Sequence, residues 1–116
     1  MDRARLARRF RALADPNRLR ILELLLRGER CGCEIQVALG LTQSNVSRHL
    51  SCLRNAGLIA EERRGRRVFY RLAAEGPGCD PLVEFVRAVL RAKRPRRAAQ
   101  PGAAVRLRRL RLRRGS

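Results

Sequence analysis

Residues 34–58 read EIQVALGLTQSNVSRHLSCLRNAGL. Ile35, Val37 and Leu39 give a short first helix an apolar side, and Gly40 turns the chain. Thr42 follows, with a hydroxyl able to cap the free amides of a second helix. On that helix Val46, Leu50 and Leu53 share one face before Asn55-Ala56-Gly57 ends it. The opposite side presents Gln43, Ser44, Asn45, Ser47, Arg48 and His49 outward. These are short hydrogen-bonding groups plus one guanidinium, suited to base edges and phosphates in a major groove. No acidic residue lies between Glu34 and Glu61, and carboxylates there would repel phosphates. The pattern predicts a helix-turn-helix that meets double-stranded DNA.

Upstream, Leu6, Phe10, Leu13 and Ala14 recur at helical spacing, which predicts an amphipathic helix over residues 3–14 with arginines on its outer face. Asp15-Pro16 stops it and starts a second helix, Asp as cap and Pro at the first helical position. That helix, carrying Leu19, Ile21, Leu22, Leu24, Leu25 and Leu26, is apolar nearly all round and must be central. Downstream the period changes to 2. Residues 58–63 and 68–72 flank Arg64-Gly65-Arg66-Arg67, a hairpin with a basic tip in which Val68, Tyr70 and Leu72 share a face. Asp80-Pro81 then opens a last helix with Leu82, Phe85, Val86, Val89 and Leu90 in one stripe, ending near Lys93. The expected fold class is mainly α with a two-stranded β wing, a winged helix-turn-helix over residues 1–93, followed by a basic, disordered tail over 94–116.

The chain has 116 residues, room for one small domain and its ends but not for a multi-domain enzyme. It carries 28 Lys plus Arg against 10 Asp plus Glu, a net charge of +18 that calls for a polyanionic partner. All but Lys93 of those bases are Arg, a bias that codon composition can also produce. Residues 91–116 hold 11 of the bases and no acid, so the tail either attaches to flanking phosphates or is an unselected Arg-rich extension. No run approaches the ~20 apolar residues of a membrane span, and MDRARLARRF lacks the apolar core of a signal peptide. The expected location is the cytoplasm, with Cys31, Cys33, Cys52 and Cys79 as thiols. One imidazole, no paired-carboxylate site and no phosphate-cradling Gly loop argue against an enzyme.

Four segments carry a family likeness: ALADPNRLRIL at 12–22, ERCGCEI at 29–35, LTQSNVSRHLSCLRNAGLI at 41–59 and GRRVFYRL at 65–72. Across residues 5–92 the chain resembles the ArsR/SmtB group of metal-responsive bacterial repressors. The resemblance implies a homodimer built on the first and last helices, a DNA-contacting wing at Arg64, Arg66 and Arg67, and repression released when an effector binds. Leu6/Phe10/Leu13 and Leu82/Phe85/Val86/Val89 are the apolar stripes such a dimer would bury.

Cys31-Gly32-Cys33 stands where the chain enters the first helix of the motif, where free amides favour a thiolate. Gly32 leaves the backbone free to bend, so two thiolates can converge on one soft ion. The pair resembles the Cys-x-Cys of arsenite-sensing family members, whose third thiol follows three positions on; here that position is Gln36. Cys52 resembles the first cysteine of a cadmium- and lead-sensing branch, whose second position is Ala56 here. A family zinc site on the last helix would need His and acids, and that helix offers only Asp80 and Glu84. Arsenite or antimonite, or a soft divalent metal such as cadmium, lead or zinc, is therefore the expected effector, at Cys31 and Cys33 with Cys52 as a further candidate. Two alternatives stand beside it: a thiol redox regulator, and an architectural DNA binder without sequence preference.

Overall fold

Asp15-Pro16 divides two helices, as the sequence requires. In a computed structural model describing residues 2–73, 78 and 80–93, α1 (Arg3–Leu13) ends just before it and α2 (Pro16–Leu26) starts on the proline. The Asp15 carboxylate accepts from the amides of Asn17 at 2.9 Å and Arg18 at 3.3 Å. Burial raises the pKa of this carboxyl, but those two amides outweigh it and the net displacement is downward. The order continues β1 (Arg30–Cys31), α3 (Gly32–Leu39), α4 (Gln43–Asn55), β2 (Ile59–Arg64), β3 (Arg67–Leu72) and α5 (Pro81–Lys93). This is a winged helix-turn-helix.

Each boundary of the reading unit has a local cause. Gly40 takes the left-handed conformation at φ 68° and closes α3. Thr42 caps α4, its hydroxyl accepting from the Asn45 amide at 3.2 Å. At the far end Gly57, φ 74°, donates to the Arg54 carbonyl, and Leu58 donates to Leu53. This paired arrangement satisfies the last carbonyls of the helix.

The core gathers apolar side chains that periodicity selected, Ile21, Leu22 and Leu25 of α2, Ile35 of α3 and Val46, Leu50 and Leu53 of α4, together with Val86 and Leu90 of α5 and Val83, which lies outside the expected α5 stripe. Each fully buried aliphatic side chain contributes roughly 1.5–3 kcal/mol of transfer free energy. Together they hold α4 against α2, which leaves its other side free.

Three features depart from expectation. The sheet has three strands in the order β1-β3-β2, because Arg30 and Cys31 pair antiparallel with Tyr70 and Phe69. The hairpin is also tighter than its basic run implies: Arg64 pairs with Arg67, so only Gly65 and Arg66 form the turn. Nor do all arginines of α1 face outward. Arg9 is 1% exposed, its Nε donating to the Ala56 carbonyl at 2.7 Å and its Nη2 pairing with Asp80. The expected tail over 94–116 and Cys79 lie outside the described residues.

Candidate nucleic-acid interface and thiol pair

Because Val46, Leu50 and Leu53 anchor α4 in the core, helical geometry turns Gln43, Ser44, Ser47 and Arg48 to solvent, with Asn45 half-buried between them. Arg48 donates to Asn45 Oδ1 at 2.6 Å, which fixes both side chains on the exposed face. His49 does not join them. It is 9% exposed, and its Nδ1 lies 3.2 Å from Nη1 of Arg18. Arg18 also donates to the carbonyls of Ala12 and Arg11 at the end of α1. The outward placement expected of His49 is therefore corrected: the imidazole belongs to a network joining α4 to the α1–α2 junction.

The wing arginines divide in the same way. Arg66 and Arg67 are exposed at the tip. Arg64 donates to both Glu29 oxygens at 2.9 and 2.7 Å and to Glu62 at 3.0 Å, with its guanidinium carbon 4.6 Å from the centre of the Phe69 ring. Glu62 and Glu29 together hold Arg64 more firmly protonated than an isolated guanidinium. Hydrogen bonding to Arg64 in turn depresses the Glu62 carboxyl. All three side chains remain about a third or more open to water, so the cluster orients more than it stabilises. Of the three wing arginines expected at DNA, Arg64 is the one already committed to protein carboxylates. Glu29 escaped the sequence reading because its partner lies 35 residues on.

Cys31 is the N-cap residue of α3 and is 2% exposed, while Cys33, in the first turn, is exposed. The Cys31 amide donates to Glu34 Oε1 at 2.8 Å, and this bond depresses the Glu34 carboxyl. Donation of its proton toward the Cys31 sulfur, with burial, pushes the Cys33 thiol up in pKa, and nearby Arg67 opposes this only in part. The helix start thus does not deliver the lowered Cys33 thiol expected of it; the neighbouring thiol decides the direction. Both cysteines open on a cleft of about 280 Å³ lined also by Gln43 and Ser47 of α4 and by Arg66 and Arg67 of the wing.

Cys52 is not brought to the pair. It is half-buried and lines a separate hollow of about 420 Å³ between α1 and α4, among Arg5, Arg8, Arg9 and Arg18. Among the described residues no three His, Cys, Asp or Glu side chains gather into a metal-binding group. The donor set at Cys31 and Cys33 therefore fits capture of a thiophilic ion by two thiolates, not a closed three- or four-donor site within one chain. Asp80, just before α5, is engaged by Arg9, and Glu84 of α5 lies 3.7 Å from Arg87.

A family model for bacterial regulatory proteins of the arsR family matches residues 15–61. A solved relative from Mycobacterium bovis is 34% identical, with 77% of each chain covered and a TM-score of 0.65. It is the homodimeric winged helix-turn-helix DNA-binding domain of a possible ArsR-family transcriptional regulator. The chain belongs to the ArsR family. Other ArsR-type relatives share the same central segment. The HTH-type transcriptional regulator CmtR of Mycobacterium tuberculosis is 53% identical over 73 residues, 63% of this chain and 62% of that protein. The arsenic resistance transcriptional regulator ArsR1 of Pseudomonas putida is 48% identical over 69 residues, 59% of this chain and 54% of that protein. The chain thus matches less than two thirds of the length of either curated relative. The family is one of regulators rather than enzymes, and no helix among the described residues is long and apolar enough to cross a membrane.

Proposed function

We infer that the chain is a homodimeric transcriptional repressor, released from operator DNA when a thiophilic ion binds Cys31 and Cys33. The observation that carries the DNA reading is the exposed, acid-free face of α4, with Gln43, Ser44, Ser47 and Arg48 beside the exposed wing arginines Arg66 and Arg67. Side chains of this kind supply base-edge hydrogen bonds from the helix and phosphate contacts from the wing. Pairing is supported by apolar surface left on α1 and α5: Leu6 is 41% exposed, Phe10 50%, Phe85 58% and Val89 46%. Beside it lies an apolar hollow of about 510 Å³ that includes Leu13, Leu19 and Phe85. A second copy would cover both and set two α4 helices about one turn of DNA apart.

For the effector, arsenite is favoured, with antimonite, cadmium, lead and zinc as the other thiophilic ions. The support is the paired thiols, and relatives named for arsenic resistance point the same way. Cys31 and Cys33 would hold the ion as thiolates, which requires both protons to leave. A thiol redox switch is the second reading, favoured by two thiols one residue apart that line the same cleft; a thiol count after peroxide separates it from ion capture.

The test of the DNA reading is selection of duplexes from a random pool by the full chain, followed by footprinting. The expected result is a two-fold symmetric sequence with half-sites about 10 base pairs apart. Recovery of unenriched DNA would overturn it in favour of an architectural binder held by charge alone.

A further inference from the structure

One cleft is lined by both the thiol pair and side chains of α4 and the wing. Gln43 and Ser47 project from α4 into the space where Cys31 and Cys33 open, and Arg66 and Arg67 close it from the wing. The thiol segment and the wing also form one body. Cys31 pairs with Phe69 across β1 and β3, and Glu29 grips Arg64 through two hydrogen bonds. These contacts tie the thiol segment to the wing, so a ligand on Cys33 enters the gap between wing and α4.

Resting on the reading of α4 and the wing as the DNA face, we propose that the thiol pair and the DNA compete for this cleft. An occupant of Cys31 and Cys33 excludes the duplex directly, by filling the space in which Gln43, Ser47, Arg66 and Arg67 receive the backbone and base edges. Release then needs no rearrangement of the dimer. Cys52, in its own hollow on the α1 side of α4, stays outside the competition.

Direct competition and remote coupling differ in one measurable way. Under remote coupling, the duplex-bound protein still accepts the ligand with a reduced affinity, and the effect levels off once all protein is bound. Under competition the bound protein is closed to the ligand, so protection follows the free fraction without a plateau. With duplex at about 20 times Kd only ~5% of the cleft is free, and modification of Cys33 slows about 20-fold; at about 100 times Kd it slows ~100-fold.

The experiment uses the full chain, a duplex selected from a random pool, and N-ethylmaleimide as the thiol probe. Alkylation rates at each cysteine are resolved by peptide mass spectrometry while fluorescence anisotropy reports duplex occupancy in the same sample. The expected result is a Cys33 rate that keeps falling with duplex concentration while the Cys52 rate changes little. Protein isolated with maleimide on Cys33 only, in a Cys52→Ser, Cys79→Ser background, should lose duplex binding while its circular dichroism stays native. A Cys33 rate that is unchanged, or that levels off at full occupancy, overturns the competition. Absence of any enriched duplex removes the DNA reading itself, a failure visible before alkylation begins.

Discussion

Arg9→Ala should weaken the fold by about 3 kcal/mol, through a contact that joins three helices at one guanidinium. Arg9 Nε donates to the Ala56 carbonyl at the end of α4, and its Nη2 pairs with Asp80 at the start of α5. Alanine leaves that carbonyl without a charged donor, a loss of about 1.5–3 kcal/mol. It also strands the Asp80 carboxylate. Breaking a fully buried ion pair costs about 3–5 kcal/mol. Asp80 is 31% exposed, however, and water partly replaces the lost partner, which sets the estimate at the lower end of that range. For a domain of this size each kcal/mol moves the midpoint by roughly 4–8 °C, so the shift is about 12–24 °C. The assay is thermal unfolding at fixed protein concentration, since a dimer's apparent stability depends on it.

The same pair sets a pH signature. The Arg9 hydrogen bond holds the Asp80 carboxyl below its ordinary value of 3.8. A depressed carboxylate stabilises the fold fully above its unfolded pKa, and the stabilisation is lost as pH falls through the folded one. The difference between wild type and Arg9→Ala should therefore hold steady above about pH 5 and narrow below about pH 4. A loss smaller than about 1 kcal/mol, or a gap unchanged at low pH, would refute the assignment of Arg9 as a buried clamp.

Gly65 sits at φ 66° in the wing turn with open space around it, so Gly65→Ala should cost about 1 kcal/mol of conformational strain and Gly65→Asn less, read by thermal unfolding. His49→Ala should remove the Arg18 contact and about 1 kcal/mol of stability, while duplex affinity of the folded protein falls by much less than the ~1–3 kcal/mol of a lost base-reading pair. Phe85→Asp should place a charge in the apolar face and shift sedimentation from dimer to monomer with the far-ultraviolet spectrum retained. Arg67→Ala should lower the slope of log affinity against log salt by about 0.9, the amount expected for one phosphate contact.

What could be read from the chain alone was whatever local chemistry decides. Asp15-Pro16, Thr42 and Asp80-Pro81 each carry a cap within three residues of the amides they serve, and all three start helices where expected. Periodicity likewise found the core side of α4. What escaped depends on partners distant along the chain. Arg9 looks like one more solvated arginine until Asp80 is folded against it, and Glu29 acquires its role only when the wing returns beside it. β1 is two residues long, too short for a period-2 signal, and exists because β3 offers an open edge. His49 falls at the margin of the helical face, where spacing cannot choose between groove and core; Arg18 chooses core. For the thiols, sequence located the pair, but only the fold shows that Cys52 opens elsewhere and that wing arginines share the cleft.

A soft ion on Cys31 and Cys33 should loosen the hold on DNA. The most direct measurement is duplex affinity of the full chain, titrated with arsenite and separately with cadmium, for wild type and for a Cys31→Ser, Cys33→Ser variant. Wild type should weaken at least ~5-fold with at least one ion, and further as that ion is raised, while the variant binds as before and ignores both. Equal weakening in the two proteins, or undiminished binding by wild type with every ion, would contradict the account.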